Sequence, residues 1–99
     1  METVAWIYIL TNRYNTTLYV GATNDLPTRM WEHKTRINAS SFTARYNIFK
    51  LIYFEAFGSA ETAFEREKTI KGKSRAWKEA LIATTNPEWN DLSDTQNYS

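Results

Sequence analysis

Glu67 lies in line with Ala60, Ala63, Phe64 and Ile70, which recur at helical spacing. A carboxylate on such an apolar stripe needs a compensating cation, because burying an unpaired charge is costly. A basic neighbour such as Arg66 or Lys71 would serve, and so would a metal ion; from spacing alone the ion pair is the plainer reading. Arg29 and His33 are four residues apart and therefore neighbours on a helix face. A guanidinium fork beside an imidazole can grip a phosphate, although the same pair is common on solvated helices. Tyr8 and Tyr19 are by default packing aromatics on strands. None of these signals is specific by itself.

Positioning these side chains falls to short elements. Residues 4–10 are β-branched and aromatic and predict a buried strand, and residues 17–21 predict a second. The polar segment between them is short, which favours an antiparallel hairpin. With the turn centred near Arg13 and Tyr14, Tyr8 and Tyr19 are expected to lie directly opposite each other on one face. Asn24 or Asp25 can cap a helix running to about Ile37, with Leu26, Met30, His33 and Ile37 on one face. Residues 38–46 read as polar and irregular with a short helical turn, and Ile48 to Ala56 as a third strand. Ser59 is a good N-cap for the helix bearing Glu67, Gly72 its stop, and Ser74 the start of another helix ending at residues 84–87. The fold class is therefore α/β (α+β): a three-stranded, mainly antiparallel sheet flanked by helices. Residues 1–92 are expected to form one domain and residues 93–99 a polar tail.

Composition removes several chemistries. The chain has 99 residues, no Cys and one His, which excludes disulfide scaffolds, Cys-ligated zinc, thiol catalysis and multi-His metal sites. Its longest apolar run, Val4 to Leu10, is far short of the roughly 18 residues that a membrane span needs. A cytoplasmic protein is expected. The net charge of +1 hides segregation: residues 24–50 carry +3 and residues 65–78 carry +4, between neutral and acidic stretches. Such blocks can hold a polyanion, or can be two solvated helix faces.

In its motifs and their order the sequence resembles the GIY-YIG nuclease superfamily. The signature tripeptides stand as Trp6-Ile7-Tyr8 and Tyr19-Val20-Gly21, with ten residues between the tyrosines. Residues 18–26 lead into Arg29 and His33 as the family's first helix does. Residues 65–72 resemble its glutamate-bearing helix, and residues 86–92 the end of its small stand-alone members. These are similar to the nuclease domain at the start of the UvrC excinuclease subunit. Trp6 replaces the first glycine and Val20 an isoleucine, and neither change removes a reacting group.

The resemblance implies a metal-dependent phosphodiesterase. Tyr8 and Tyr19 would position and deprotonate the attacking water, Arg29 would neutralise the scissile phosphate, and His33 would assist nearby. Glu67 would be the single protein ligand of Mg²⁺ (or Mn²⁺), an arrangement that suits a hard cation that keeps several waters. Asn86, with Asn90 as rival, would supply the family's late asparagine. A tyrosine titrates near about 10, so a tyrosine base needs a nearby cation, which Arg29 could supply. The implied activity is DNA endonuclease cleavage leaving 5′-phosphate and 3′-hydroxyl ends, structure-selective and linked to DNA repair or recombination. The expected partner is DNA, branched or single-stranded, with a protein partner as a further source of specificity and no membrane. Lys34, Arg36, Arg45, Lys68, Lys71, Lys73, Arg75 and Lys78 are the expected nucleic-acid contacts. The alternatives are a catalytically weak nucleic-acid-binding module using the basic blocks 29–50 and 66–78, and an interaction domain with a relic site.

Overall fold

The computed structural model describes residues 2–35 and 41–94. Strand β1 (Ala5–Asn12) is central, with β2 (Leu18–Thr23) on one side and β3 (Ile48–Phe57) on the other, both antiparallel to it. Helices α1 (Leu26–Thr35), α2 (Phe42–Arg45), α3 (Ala60–Lys71) and α4 (Arg75–Ala83) flank this sheet, and a single 3₁₀ turn spans Leu92–Asp94. The class is α+β, as the sequence predicts. Among the described residues, no helix is long and apolar enough to cross a membrane.

Both faces of β1 are covered, so the strand reads as a continuous apolar run. Ala5, Ile7 and Ile9 point to a cluster with Val20, Ile52, Ala63 and Ile70 of α3, and Ile82 of α4. Tyr8 and Leu10 point the other way, to Leu26 and Met30 of α1 and to Ile48 and Leu51. Serine caps start three helices: Ser41, Ser59 and Ser74 each accept a backbone N–H from the first turn. Asp25 does the same for α1, through Thr28 N–H at 3.2 Å.

The hairpin register differs from the expected one. Tyr8 is opposite Gly21, and Tyr19 is opposite Leu10. The slip is even, so both tyrosines keep the same face and become diagonal neighbours; an odd slip would have separated them. The turn is also held from outside. Arg75 of α4 donates to the carbonyls of Asn15 and Thr16, each at 2.8 Å, and its Nε donates to Glu79 at 2.9 Å. Asn15 adopts the left-handed backbone (φ 59°) that asparagine tolerates.

On β3 the register shifts between the partners of Ile9 and Leu10, so Ile52 is an extra, bulged residue. The carbonyl of Ile52 accepts from Asn86 Nδ2 at 3.0 Å, and Leu51 N–H donates to Asp91 Oδ1 at 3.2 Å. Residues 86–91 thus clasp an edge strand whose backbone would otherwise be open to foreign pairing.

The apolar stripe expected on α3 is narrower than its sequence. Ala63 and Ile70 are buried, but Phe64 is 50% exposed. Phe64 lies about 100° further round the helix than Ala63, beyond the arc that meets the sheet. Glu67 falls between these positions, at the margin of the buried stripe, and is half-buried.

Candidate active site

Tyr8 is 1% exposed and its ring crosses the neighbouring strand at Gly21. A Cβ on residue 21 would come within 2.5 Å of both Cζ and Oη of Tyr8. Only glycine lets a buried phenol lie across the strand there. Tyr19, two residues earlier on β2, brings its ring to 6.4 Å from that of Tyr8.

His33, in the last turn of α1, closes the cluster. Its ring meets Tyr8 at 6.0 Å and Tyr19 at 6.2 Å, edge-on to both. Nδ1 is hydrogen-bonded to Thr43 Oγ1 at 2.8 Å, which ties α1 to α2. Nε2 is buried and, among the described residues, has no hydrogen-bond partner. Burial, followed by the positive charge of Arg29, lowers the pKa of His33, so the imidazole is neutral at pH 7. A buried, unpaired ring nitrogen between two phenols is costly unless something comes to meet it.

Arg29, one turn before His33, is exposed, with Nε 3.4 Å from Glu32. Its positive charge favours the phenolate of Tyr8. The net pKa shift of Tyr8 is nonetheless upward, because burial outweighs everything else and Tyr19 and Glu67 add to it. Arg29 alone therefore does not make Tyr8 a base; Tyr8 stands as a phenol. The charge of Glu67 also raises the pKa of Tyr8, although α3 covers the opposite face of the sheet from α1.

Glu67 Oε2 is 3.3 Å from Lys71 Nζ, one turn along. The carboxylate thus already accommodates a cation. Among the described residues, no group of three or more His, Cys, Asp or Glu forms a metal cage. What Glu67 offers is a single hard carboxylate, a donor that a divalent cation can take while most of its shell is left to water.

Other expected residues are elsewhere. Asn86 is buried beside the bulge on β3, the sheet edge opposite β2. Its Nδ2 donates to the carbonyls of Ile52 and Asn90, and its Oδ1 accepts from Asn90 N–H. Both ends of the amide are occupied in holding the chain, and Asn90 enters through its backbone. Arg75 is taken up by the hairpin turn and Lys34 is ion-paired with Asp91. Lys73 lies 5.4 Å over the ring of Trp77, Lys78 is half-buried, and Lys68 and Arg45 are exposed. Arg36 and Ile37 lie outside the described residues.

Two residues that matter to this geometry are given no role by the sequence. A lone glycine inside a strand signals close approach, so Gly21 carries a usable clue. Thr43 carries none, since its partner is ten residues away on another helix.

Comparison with known proteins identifies the family. Residues 4–80 match the family model described as the GIY-YIG catalytic domain. A UPF0213 protein of Streptococcus pneumoniae is 34% identical over 93 residues, covering 94% of this chain and 91% of its own. One from Natronomonas pharaonis is 36% identical over 78 residues, covering 79% of this chain and 89% of its own. The solution structure of the UPF0213 protein BH0048 of Bacillus halodurans superposes with a TM-score of 0.57 at 26% identity, covering 94% of this chain and 97% of that one. Two tyrosines, an arginine and a histidine around a strand glycine, with a glutamate in reach, thus stand in a chain that belongs to the GIY-YIG nuclease family, among its small stand-alone members.

Proposed function

We propose that this chain is a divalent-metal-dependent DNA endonuclease that hydrolyses phosphodiesters to 5′-phosphate and 3′-hydroxyl ends. The observation that carries the reading is the Nε2 of a neutral His33, buried against Tyr8 and Tyr19 and beside Arg29, which has no hydrogen-bond partner among the described residues. Tyr8, kept as a phenol, orients the attacking water by hydrogen bonding. In the tautomer that carries its proton on Nδ1, toward Thr43 Oγ1, His33 presents an Nε2 lone pair that takes the proton from that water. Arg29 meets the charge that develops on the phosphate. Glu67 would hold the Mg²⁺ or Mn²⁺ ion, which when bound stabilises the leaving oxygen and polarises the phosphate. Asn86 is left out of the chemistry. Preference for branched or other non-canonical DNA, and a place in repair or recombination, complete the reading.

The test is incubation with branched, duplex and single-stranded DNA in Mg²⁺, Mn²⁺ or EDTA. Cleavage with either ion and none in EDTA is expected, with ligatable 5′-phosphate ends. Binding without cleavage of any substrate would instead support a nucleic-acid-binding module.

A further inference from the structure

A row of aromatic rings leads away from the His33 cluster. Phe42 of α2 stacks on Tyr19 at 6.3 Å and 26°, and Tyr46 follows at 4.8 Å from Phe42. These rings do not close a core: Phe42 is 52% and Tyr46 53% exposed, and Tyr14 in the hairpin turn is 71% exposed. Tyr46 and Tyr14 both line an open cleft of about 530 Å³, together with Arg13, Lys34, Asn47 and Lys50. Arg13 lies 5.2 Å over the ring of Tyr14, and Arg45 lies 5.8 Å over that of Tyr46. Asp91 also borders the cleft, but its carboxylate is already engaged by Lys34, Ser93 and the N–H of Leu51. The cleft is therefore cationic and bordered by rings that are more than half exposed, with guanidinium groups beside them.

We infer that this cleft and the Phe42–Tyr46 row bind single-stranded nucleic acid and pass it toward Tyr19. Cations take the phosphates and exposed rings take the bases, a combination suited to unpaired strands. A duplex keeps its base faces stacked inside and offers these rings nothing. The inference rests on the proposed nuclease site only for the direction in which the strand runs.

The test measures binding in EDTA, so that cleavage plays no part. Fluorescent oligothymidylate of about 12 nucleotides, the same length of abasic strand and a blunt duplex are titrated against wild type, Tyr14→Ala, Tyr46→Ala and Tyr46→Trp. Thermal unfolding of each variant confirms the fold, which exposed positions should preserve. Tyr14→Ala and Tyr46→Ala should each weaken oligothymidylate binding roughly 5- to 100-fold, the loss expected for one stacked base. Abasic strand and duplex should shift by less than about twofold, because they contact only the cations. Tyr46→Trp should retain binding. Equal losses on all three probes, or no loss from either alanine variant, would overturn the inference. Loss of stacking with cleavage intact would leave the nuclease reading standing. Stacking without cleavage by any metal-loaded protein would do the reverse.

Discussion

The two edges of the sheet treat their polar groups in opposite ways. At the β3 edge, Asn86 and Asp91 meet the carbonyl of Ile52 and the N–H of Leu51. Close by, Glu55 receives both Arg66 Nε and Nη2, at 2.9 and 3.0 Å, together with the hydroxyl of Tyr53. On the β2 side, a buried imidazole nitrogen has no hydrogen-bond partner among the described residues. Satisfied groups hold a structure together, whereas unsatisfied ones store a cost that a ligand can relieve. On this basis the β3 side is assigned to scaffold and the β2 side to the proposed site.

The sharpest way to break the distinction is to disturb the contact under Tyr8. Gly21→Ala places a methyl carbon 2.5 Å from a ring that is packed on all sides. Stability should fall by about 1–3 kcal/mol, in the range of overpacked cores. Nuclease turnover should fall by roughly 100-fold, since shifts of about an ångström at a reacting group cost that much. Urea denaturation and single-turnover cleavage read the two effects; unchanged turnover would remove Tyr8 from the site.

Asn86→Ala should do the complementary thing. It leaves the carbonyl of Ile52 and the backbone of Asn90 without partners, at a cost of about 1–3 kcal/mol. Turnover of the folded protein at low temperature should not change. A selective loss of turnover would restore Asn86 to the chemistry.

Thr43→Val keeps the shape of the side chain and removes the hydroxyl that holds His33 Nδ1. Turnover should drop about tenfold, as for loss of a base's orienting partner. The acidic limb of the pH–rate profile should move, which a purely structural role for Thr43 would not cause. Thr43→Ser should restore both.

Acid should separate the two edges by pH. His33 has a pKa below its unfolded value of 6.5, so the native state binds fewer protons than the unfolded one. Its share of stability is full above about pH 6.5 and is lost as pH falls through the window below that. Glu55 and Asp91 have carboxyl pKa values below their unfolded values of 4.5 and 3.8, Arg66 and Lys34 being the partners that hold them charged. Their contribution is present above those values and is lost at lower pH. His33→Gln should therefore flatten the stability curve just below pH 6.5, and Asp91→Asn should flatten it near pH 4 and below, as read by urea midpoints across pH.

The parts of this molecule that were legible in its sequence are the local ones. Strand alternation, the serine caps and the helix around Glu67 depend on residues within a few positions of one another. The shared face of Tyr8 and Tyr19 survives an error of two in register because side chains alternate with period two. The bulge at Ile52 was not legible, since an inserted residue leaves the apolar run of β3 looking unbroken. Nor were the long-range clamps. Asn86 reaches a carbonyl 34 residues away, and Arg75 reaches one 60 residues away. Both residue types also suit DNA contacts, and only packing decides between the uses.

The central claim is that catalysis and scaffold are divided between the β2 and β3 sides, with Glu67 on the catalytic side. The most direct measurement pairs Glu67→Gln with Asn86→Ala in one experiment, recording thermal midpoint and Mg²⁺- or Mn²⁺-dependent cleavage for each. The account predicts that Glu67→Gln keeps the wild-type midpoint to within a few degrees and loses cleavage by about 1,000-fold or more. It predicts that Asn86→Ala melts lower, by roughly 4–8 °C per kcal/mol lost, and cleaves at the wild-type rate when folded. Wild-type cleavage by folded Glu67→Gln protein would contradict it.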